Sequence, residues 1–148
     1  MGDPHRHIHR TRRQVMAKPY IHSLSSVRRY GGAPEDYMPI HEFMDSSKSA
    51  IPDNRHRALT HTSWFLSTVL ERVFGSTFTN SAGRVVSVRD IGEMHIGEDC
   101  RGIIPTAQDY LQEMDFKGWM NNKGVPPSHS KVVESQVVTR TESRWDED

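Results

Sequence analysis

The chain has 148 residues, no formal net charge, 34% hydrophobic residues and 26% charged residues. That length suits one domain rather than two. The charge balance excludes a surface that attracts nucleic acid over its whole extent, and a single cysteine, Cys100, excludes an internal disulfide.

The low hydrophobic share points to an ordinary domain diluted by polar segments. Apolar residues concentrate between about Tyr20 and Trp119. The sequence therefore divides into a basic N-terminal arm (1–19), a histidine-rich domain (20–119) and a polar C-terminal arm (120–148). The basic start lacks an apolar core of the signal-peptide kind. No apolar run approaches the roughly 20 residues of a membrane helix. The expected location is the cytoplasm of a bacterial host, or a virion, with no membrane partner.

In the N-terminal arm, Arg6, Arg10, Arg12 and Arg13 stand among His5, His7 and His9. Such an arm can contact nucleic-acid phosphates without sequence preference, or dock on another protein subunit. Ile21, Leu24 and Val27 recur at helical spacing, so a helix is expected from about Pro19 to Tyr30, stopped by Gly31 and Gly32. A second helix is expected from Pro39, which suits a first turn, to about Lys48. Asp53 or Asn54 can cap a third. That third helix, from about Arg55 to Phe74, is expected to be the longest and to bury Leu59, Trp64, Phe65, Leu66, Val69, Leu70, Val73 and Phe74.

Thr77–Thr79 and Arg84–Val88 flank Asn80-Ser81-Ala82-Gly83 and read as a β-hairpin within 77–88. The stretch from Ile91 to Asp99 is ambiguous, because two glycines weaken a helix there. Thr106 with Asp109 forms a capping-box pair for a last helix burying Tyr110, Leu111 and Met114. Beyond Trp119, Val132-Val133 and Val137-Val138 are weakly strand-like and suit addition to an edge of another chain. The expected class is α+β, mostly helical, with one hairpin and two extended arms.

The polar residues that could carry chemistry are mostly histidines. His41 and Asp45 share a helix face at four-residue spacing, as do His95 and Asp99. Lys48 continues the first face, and His22 lies on the first helix. His56 and His61 are five apart and would diverge by about 140° on a regular helix. Zinc and similar divalent ions take imidazole and carboxylate donors, and several helices can supply them to one centre. The candidate ligands are His41, Asp45, His56, His61 and His95, with His22, Lys48 and Asp99 around them; carboxylates commonly orient ligand imidazoles. No His-Glu-x-x-His and no paired-cysteine motif is present. Cys100, between Asp99 and Arg101, reads as structural, and no phosphate loop or nucleophile elbow appears.

Several runs together resemble a family of small bacterial and phage proteins of unknown function. They are Arg28-Arg29-Tyr30-Gly31-Gly32, Pro34-Glu35-Asp36-Tyr37, Ile40 to Lys48, Arg55-His56-Arg57-Ala58-Leu59-Thr60-His61, Thr79 to Val86, and Ile91-Gly92-Glu93-Met94-His95 with Glu98-Asp99. The similarity covers roughly residues 20–116. The family pattern includes the positions of His22, His41, Asp45, Lys48, His56, His61, His95 and Asp99. It often has a second histidine where this chain has Thr62, and a glycine near Trp64. The resemblance implies a shared polar site and a phage or prophage source, and names no activity.

Three functions are consistent with these observations. The first is a phage-type assembly or virion subunit whose core domain binds a divalent metal, with homo- or hetero-oligomeric partners. The second is a metal-dependent hydrolase or lyase. The third is a phage-encoded module that binds a host protein.

Overall fold

The structure is a computed structural model and describes residues 18–133. The expected roles of Arg6, Arg10, Arg12, Arg13 and the Val137-Val138 pair lie outside the described residues. The chain divides into two compact units, the first ending at Glu113 and the second beginning at Met114.

The first unit is a mostly helical α+β fold. Helix α1 spans residues 18–30. It ends where Gly31 and Gly32 take φ of 80° and 76°, a left-handed backbone that glycine adopts without steric cost. A 3-10 turn, Pro34–Asp36, leads into α2, Met38–Asp45, with Pro39 in its first turn. The helix expected to reach Lys48 tightens into a 3-10 turn, Ser46–Ser49.

The expected single helix from Arg55 to Phe74 is broken. Asp53 Oδ1 accepts from Arg55 N–H and caps a 3-10 turn, Asn54–His56, which runs into α3, Arg57–Thr60. His61 and Thr62 then leave helical geometry, with ψ of 57° and 154°. Thr62 Oγ1 accepts from Phe65 N–H and restarts the helix as α4, Ser63–Phe65. A π-helical turn, Leu66–Leu70, joins α4 to α5, Glu71–Phe74. The break turns Leu59, Trp64 and Val73 outward, contrary to the expected apolar face, while Phe65, Leu66 and Leu70 remain in the core.

Strands β1, Thr77–Thr79, and β2, Val85–Ser87, pair antiparallel with Phe78 opposite Val86. Asn80 organises the turn. Its Oδ1 accepts from Ala82 and Arg84 N–H, and its Nδ2 donates to the Tyr30 carbonyl and Tyr37 Oη. The ambiguous segment after the hairpin forms α6, Val88–Asp99, capped by Ser87 Oγ. Its Gly92 lies where a Cβ would overlap the Cδ2 methyls of Leu66 and Leu70. A residue that is poor for a helix alone is thus what lets α6 approach the π turn.

Thr106 and Asp109 form the expected capping box of α7, Ala107–Leu111. Tyr110 is half-buried, but Leu111 and Met114 are exposed, contrary to expectation. The core joins Tyr37, Ile40 and Met44 of the α2 region with Phe65, Leu66, Leu70, Val86, Val88, Ile91 and Ile96.

In the second unit, a 3-10 turn, Gly118–Asn121, ends at Asn122 with φ of 60°. Val132 and Val133 are not in a strand. Among the described residues no helix is long and apolar enough to cross a membrane.

Candidate metal centre

Beside this core sits a second, polar one. His22, His41, His56, His61 and His95 are all buried, with Asp45 next to them. Burial of so much imidazole and carboxylate is costly unless each group is partnered, and most of these partners are one another.

Each side chain arrives by a local device. α1 places His22 and Ser26 on one face, and α2 places His41 and Asp45 on another. α6 presents His95 and Asp99 at the same spacing, with His95 Nε2 and Asp99 Oδ2 3.3 Å apart. His56, in the 3-10 turn, and His61, at the end of α3, are both buried, at 1% and 0% exposure.

At the centre, His61 Nε2 lies 3.0 Å from Asp99 Oδ2, and His95 Nε2 lies 3.3 Å from Asp45 Oδ1. One donor atom from each of Asp45, His61, His95 and Asp99 lies within 4.8 Å of the other three. Zinc-to-donor distances of about 2.0–2.2 Å require neighbouring donors to be roughly 3–3.5 Å apart, which the three measured pairs satisfy. This group can hold a metal ion.

The other predicted residues surround it. The His22 ring stacks on that of His95 with centroids 3.8 Å apart, and its Nε2 lies 3.4 Å from Asp99 Oδ1. His41 Nδ1 meets His95 Nδ1 at 2.8 Å, and its Nε2 meets Ser26 Oγ at 2.8 Å. Lys48 Nζ is 3.7 Å from Asp45 Oδ2. His56 packs edge-on against His61 and contacts Ser47 Oγ through Nδ1 at 2.7 Å. His41 and His56 are therefore outside the four-donor group, and Asp99 is inside it.

Electrostatics follow the packing. Burial, with the neighbouring His95 and His22, pushes His41 down to about 2. Burial and His61 take His56 to about 4. Burial also lowers His61, against the opposing pull of Asp99. For His95, burial favours the neutral ring, but hydrogen bonds to Asp45 and Asp99 win and raise it. Burial would raise Asp45, yet contact with His95 and the charge of Lys48 hold it near 2. Asp99 is held far below the carboxylate range, because the imidazoles of His22, His61 and His95 around it outweigh its burial. Both acids are thus anionic at neutral pH.

Sequence reasoning missed three hydroxyls, Ser26, Ser47 and Thr60. Thr60 Oγ1–H donates to the Met44 carbonyl at 2.7 Å. A hydroxyl has one proton, so while Thr60 donates to that carbonyl, His61 Nδ1 donates to Thr60 at the 2.8 Å contact; the reversed order, with Thr60 donating to His61 and His61 Nε2–H to Asp99, fits the same heavy atoms. At 3.1 Å Ser47 donates to Thr60 as well, so Ser47 accepts from His56 Nδ1. Adjacency of Thr60 to His61 was the only signal available for any of these.

The fold and site define a small helical domain built around an imidazole–carboxylate cluster. The chain belongs to the family described as Domain of unknown function (DUF6915), whose model matches residues 17–120. No curated protein and no solved structure matches the chain.

Proposed function

We propose that this chain is a metal-binding domain, holding one divalent transition-metal ion on Asp45, His61, His95 and Asp99. Zinc is the first candidate, with manganese or iron next, because borderline metals suit mixed imidazole and carboxylate donors.

The supporting observation is the contact of His61 Nδ1 with Thr60, whose hydroxyl lies 2.7 Å from the Met44 carbonyl. With the Nδ1 proton directed to Thr60, Nε2 of the neutral ring carries a lone pair. That lone pair faces the anionic Asp99 Oδ2 at 3.0 Å. In that tautomer two electron-rich atoms stand 3.0 Å apart, an arrangement that a cation between them stabilises, and burial disfavours a second proton on His61. Asp45 Oδ2 adds to this, being buried with no hydrogen-bond partner among the described residues. An ion here would tie α2, the α3–α4 junction and α6 together, so its binding free energy would add to the stability of the fold.

Metal analysis of purified protein tests the reading. About one equivalent of a transition metal, lost on chelation together with thermal stability, is the expected result. Absence of binding after incubation with zinc, manganese and iron(II) overturns it.

A hydrolytic role for the same ion is the second reading. His56 Nε2 favours it, being a buried acceptor without a partner among the described residues, next to His61. Such a nitrogen can take a proton from a metal-activated water. An assembly role is a separate proposal attached to the terminal arms, and the molar mass in solution tests it.

A further inference from the structure

We propose that His41 is a positioning residue of the metal centre and not one of its ligands. With Ser26 of the first helix, it holds His95 so that the Nε2 lone pair faces Asp45 and Asp99. The inference rests on the metal-binding reading above.

The argument starts from a carbonyl, which can only accept. Ser26 Oγ lies 3.1 Å from the His22 carbonyl and donates its one proton there. In that arrangement His41 Nε2, 2.8 Å from Ser26 Oγ, is a donor. A neutral imidazole has one N–H, and a charge on this fully buried ring, stacked near His22 and His95, would be costly. His41 Nδ1 is therefore an acceptor. The nitrogen that faces it at 2.8 Å, His95 Nδ1, must donate. With a cation in place of the proton that His95 otherwise shares with these carboxylates, His95 Nε2 is then a lone pair, 3.3 Å from each of Asp45 Oδ1 and Asp99 Oδ2.

The chain parallels the one that fixes His61. There, a threonine anchored on the Met44 carbonyl sets the tautomer. Here, a serine anchored on the His22 carbonyl does so through an intervening imidazole. The same heavy atoms also admit the reversed arrangement, with Ser26 donating to His41, His41 to His95, and His95 Nε2–H to the carboxylates. A cation at the carboxylates selects the first arrangement, because only it frees His95 Nε2 for coordination. Residues that orient ligand imidazoles in this way typically contribute 10- to 100-fold to metal affinity. The first helix, which supplies no ligand to the four-donor group, would then be part of the site.

Nitrogen NMR of the full chain loaded with cadmium-113 separates the possibilities. The expected spectrum has metal–nitrogen couplings at Nε2 of His61 and His95 only, with His41 showing an Nε2–H and an uncoupled Nδ1. A coupling to either nitrogen of His41 makes it a ligand and overturns this proposal while leaving the metal-binding reading intact. No coupling to any histidine overturns both. Ser26→Ala is expected to weaken zinc binding roughly 10- to 100-fold with the same two couplings retained, and Ser26→Thr to recover most of the loss. Unchanged affinity in Ser26→Ala overturns the proposal. Should Ser26→Ala fail to fold, the spectrum of the unmodified chain still decides.

Discussion

His61 Nε2 and Asp99 Oδ2 face each other at 3.0 Å across the junction of α3 and α6, 38 residues apart in sequence. The pair is oriented from behind by Thr60, whose hydroxyl bridges His61 and the Met44 carbonyl. Thr60→Val keeps the shape and removes the hydroxyl. The Met44 carbonyl loses its Thr60 donor, and Ser47 and His61 lose an acceptor, so stability should fall by about 1–3 kcal/mol. Metal affinity should fall about 10- to 100-fold, since His61 is then free to turn. Calorimetric titration with zinc on the refolded variant checks the second effect separately from the first.

Removal of the ion should lower the unfolding temperature of the native chain, since a ligand bound only to the folded state stabilises it by mass action. Asp99→Asn should abolish the zinc-dependent part of that shift. The amide keeps the shape but loses the anionic donor. A thermal scan with and without chelator, run on both proteins, gives the answer; an equal chelator effect in the variant would contradict the ligand assignment.

Acid should unfold the metal-free protein early. His41 and His56 have folded values of about 2 and about 4, and His61 is also lowered. All three titrate near 6.5 in the unfolded chain. Below that pH the unfolded state binds more protons, so stability falls as pH falls, by at most about 1.4 kcal/mol per pH unit for each group and only down to its folded value. The raised His95 has the opposite sign. Its contribution is complete below about pH 6.5 and is lost as pH rises through its folded value, so it adds no slope on the acid side. The two acids lose their contributions only at lower pH, Asp45 between about 4 and about 2. Denaturant midpoints should therefore drop steadily from pH 6.5 to pH 4, and a flat profile across that range would contradict the burial of neutral imidazoles.

Gly92→Ala sets helix propensity against packing. In an exposed helix the change gains about 1 kcal/mol. Here the new methyl meets Leu66 and Leu70 of the π turn, and overpacking of a tight contact costs about 1–3 kcal/mol. A net loss of stability in urea is expected, and Leu66→Ala in the same chain should relieve part of the clash.

Asn80→Ala removes four side-chain hydrogen bonds: two that join the hairpin turn to Tyr30 and Tyr37 and two that close the turn on Ala82 and Arg84. With Asn80 buried at 4% exposure, the partners left unpaired should cost about 2–4 kcal/mol in all. Equilibrium unfolding checks this; a loss under 1 kcal/mol would mean that water replaces the amide.

Much of this molecule was legible in its sequence because the signals are local. The α1 stop at Gly31-Gly32, the Asp53 cap, the hairpin around Asn80 and the Thr106–Asp109 capping box each depend on residues within a few positions of one another. The His95–Asp99 contact follows from helical spacing alone, and the family resemblance was carried by the same short runs.

What only the tertiary structure decided is which of these pieces meet. Asp45 and His95 are 50 residues apart, and His41 and His95 are 54 apart; no spacing rule relates them. The helix expected to be continuous breaks at His61 and Thr62, and the reason is energetic rather than a matter of propensity. The local apolar pattern favours an unbroken helix, yet the chain leaves helical geometry at these two residues. In the broken form both rings are buried and partnered, and Thr62 caps the restart. Whether the hydroxyls of Ser26, Ser47 and Thr60 face solvent or anchor an imidazole is likewise undetermined by residue type. Their roles follow from the carbonyls and imidazoles that packing sets beside them, since a carbonyl can only accept.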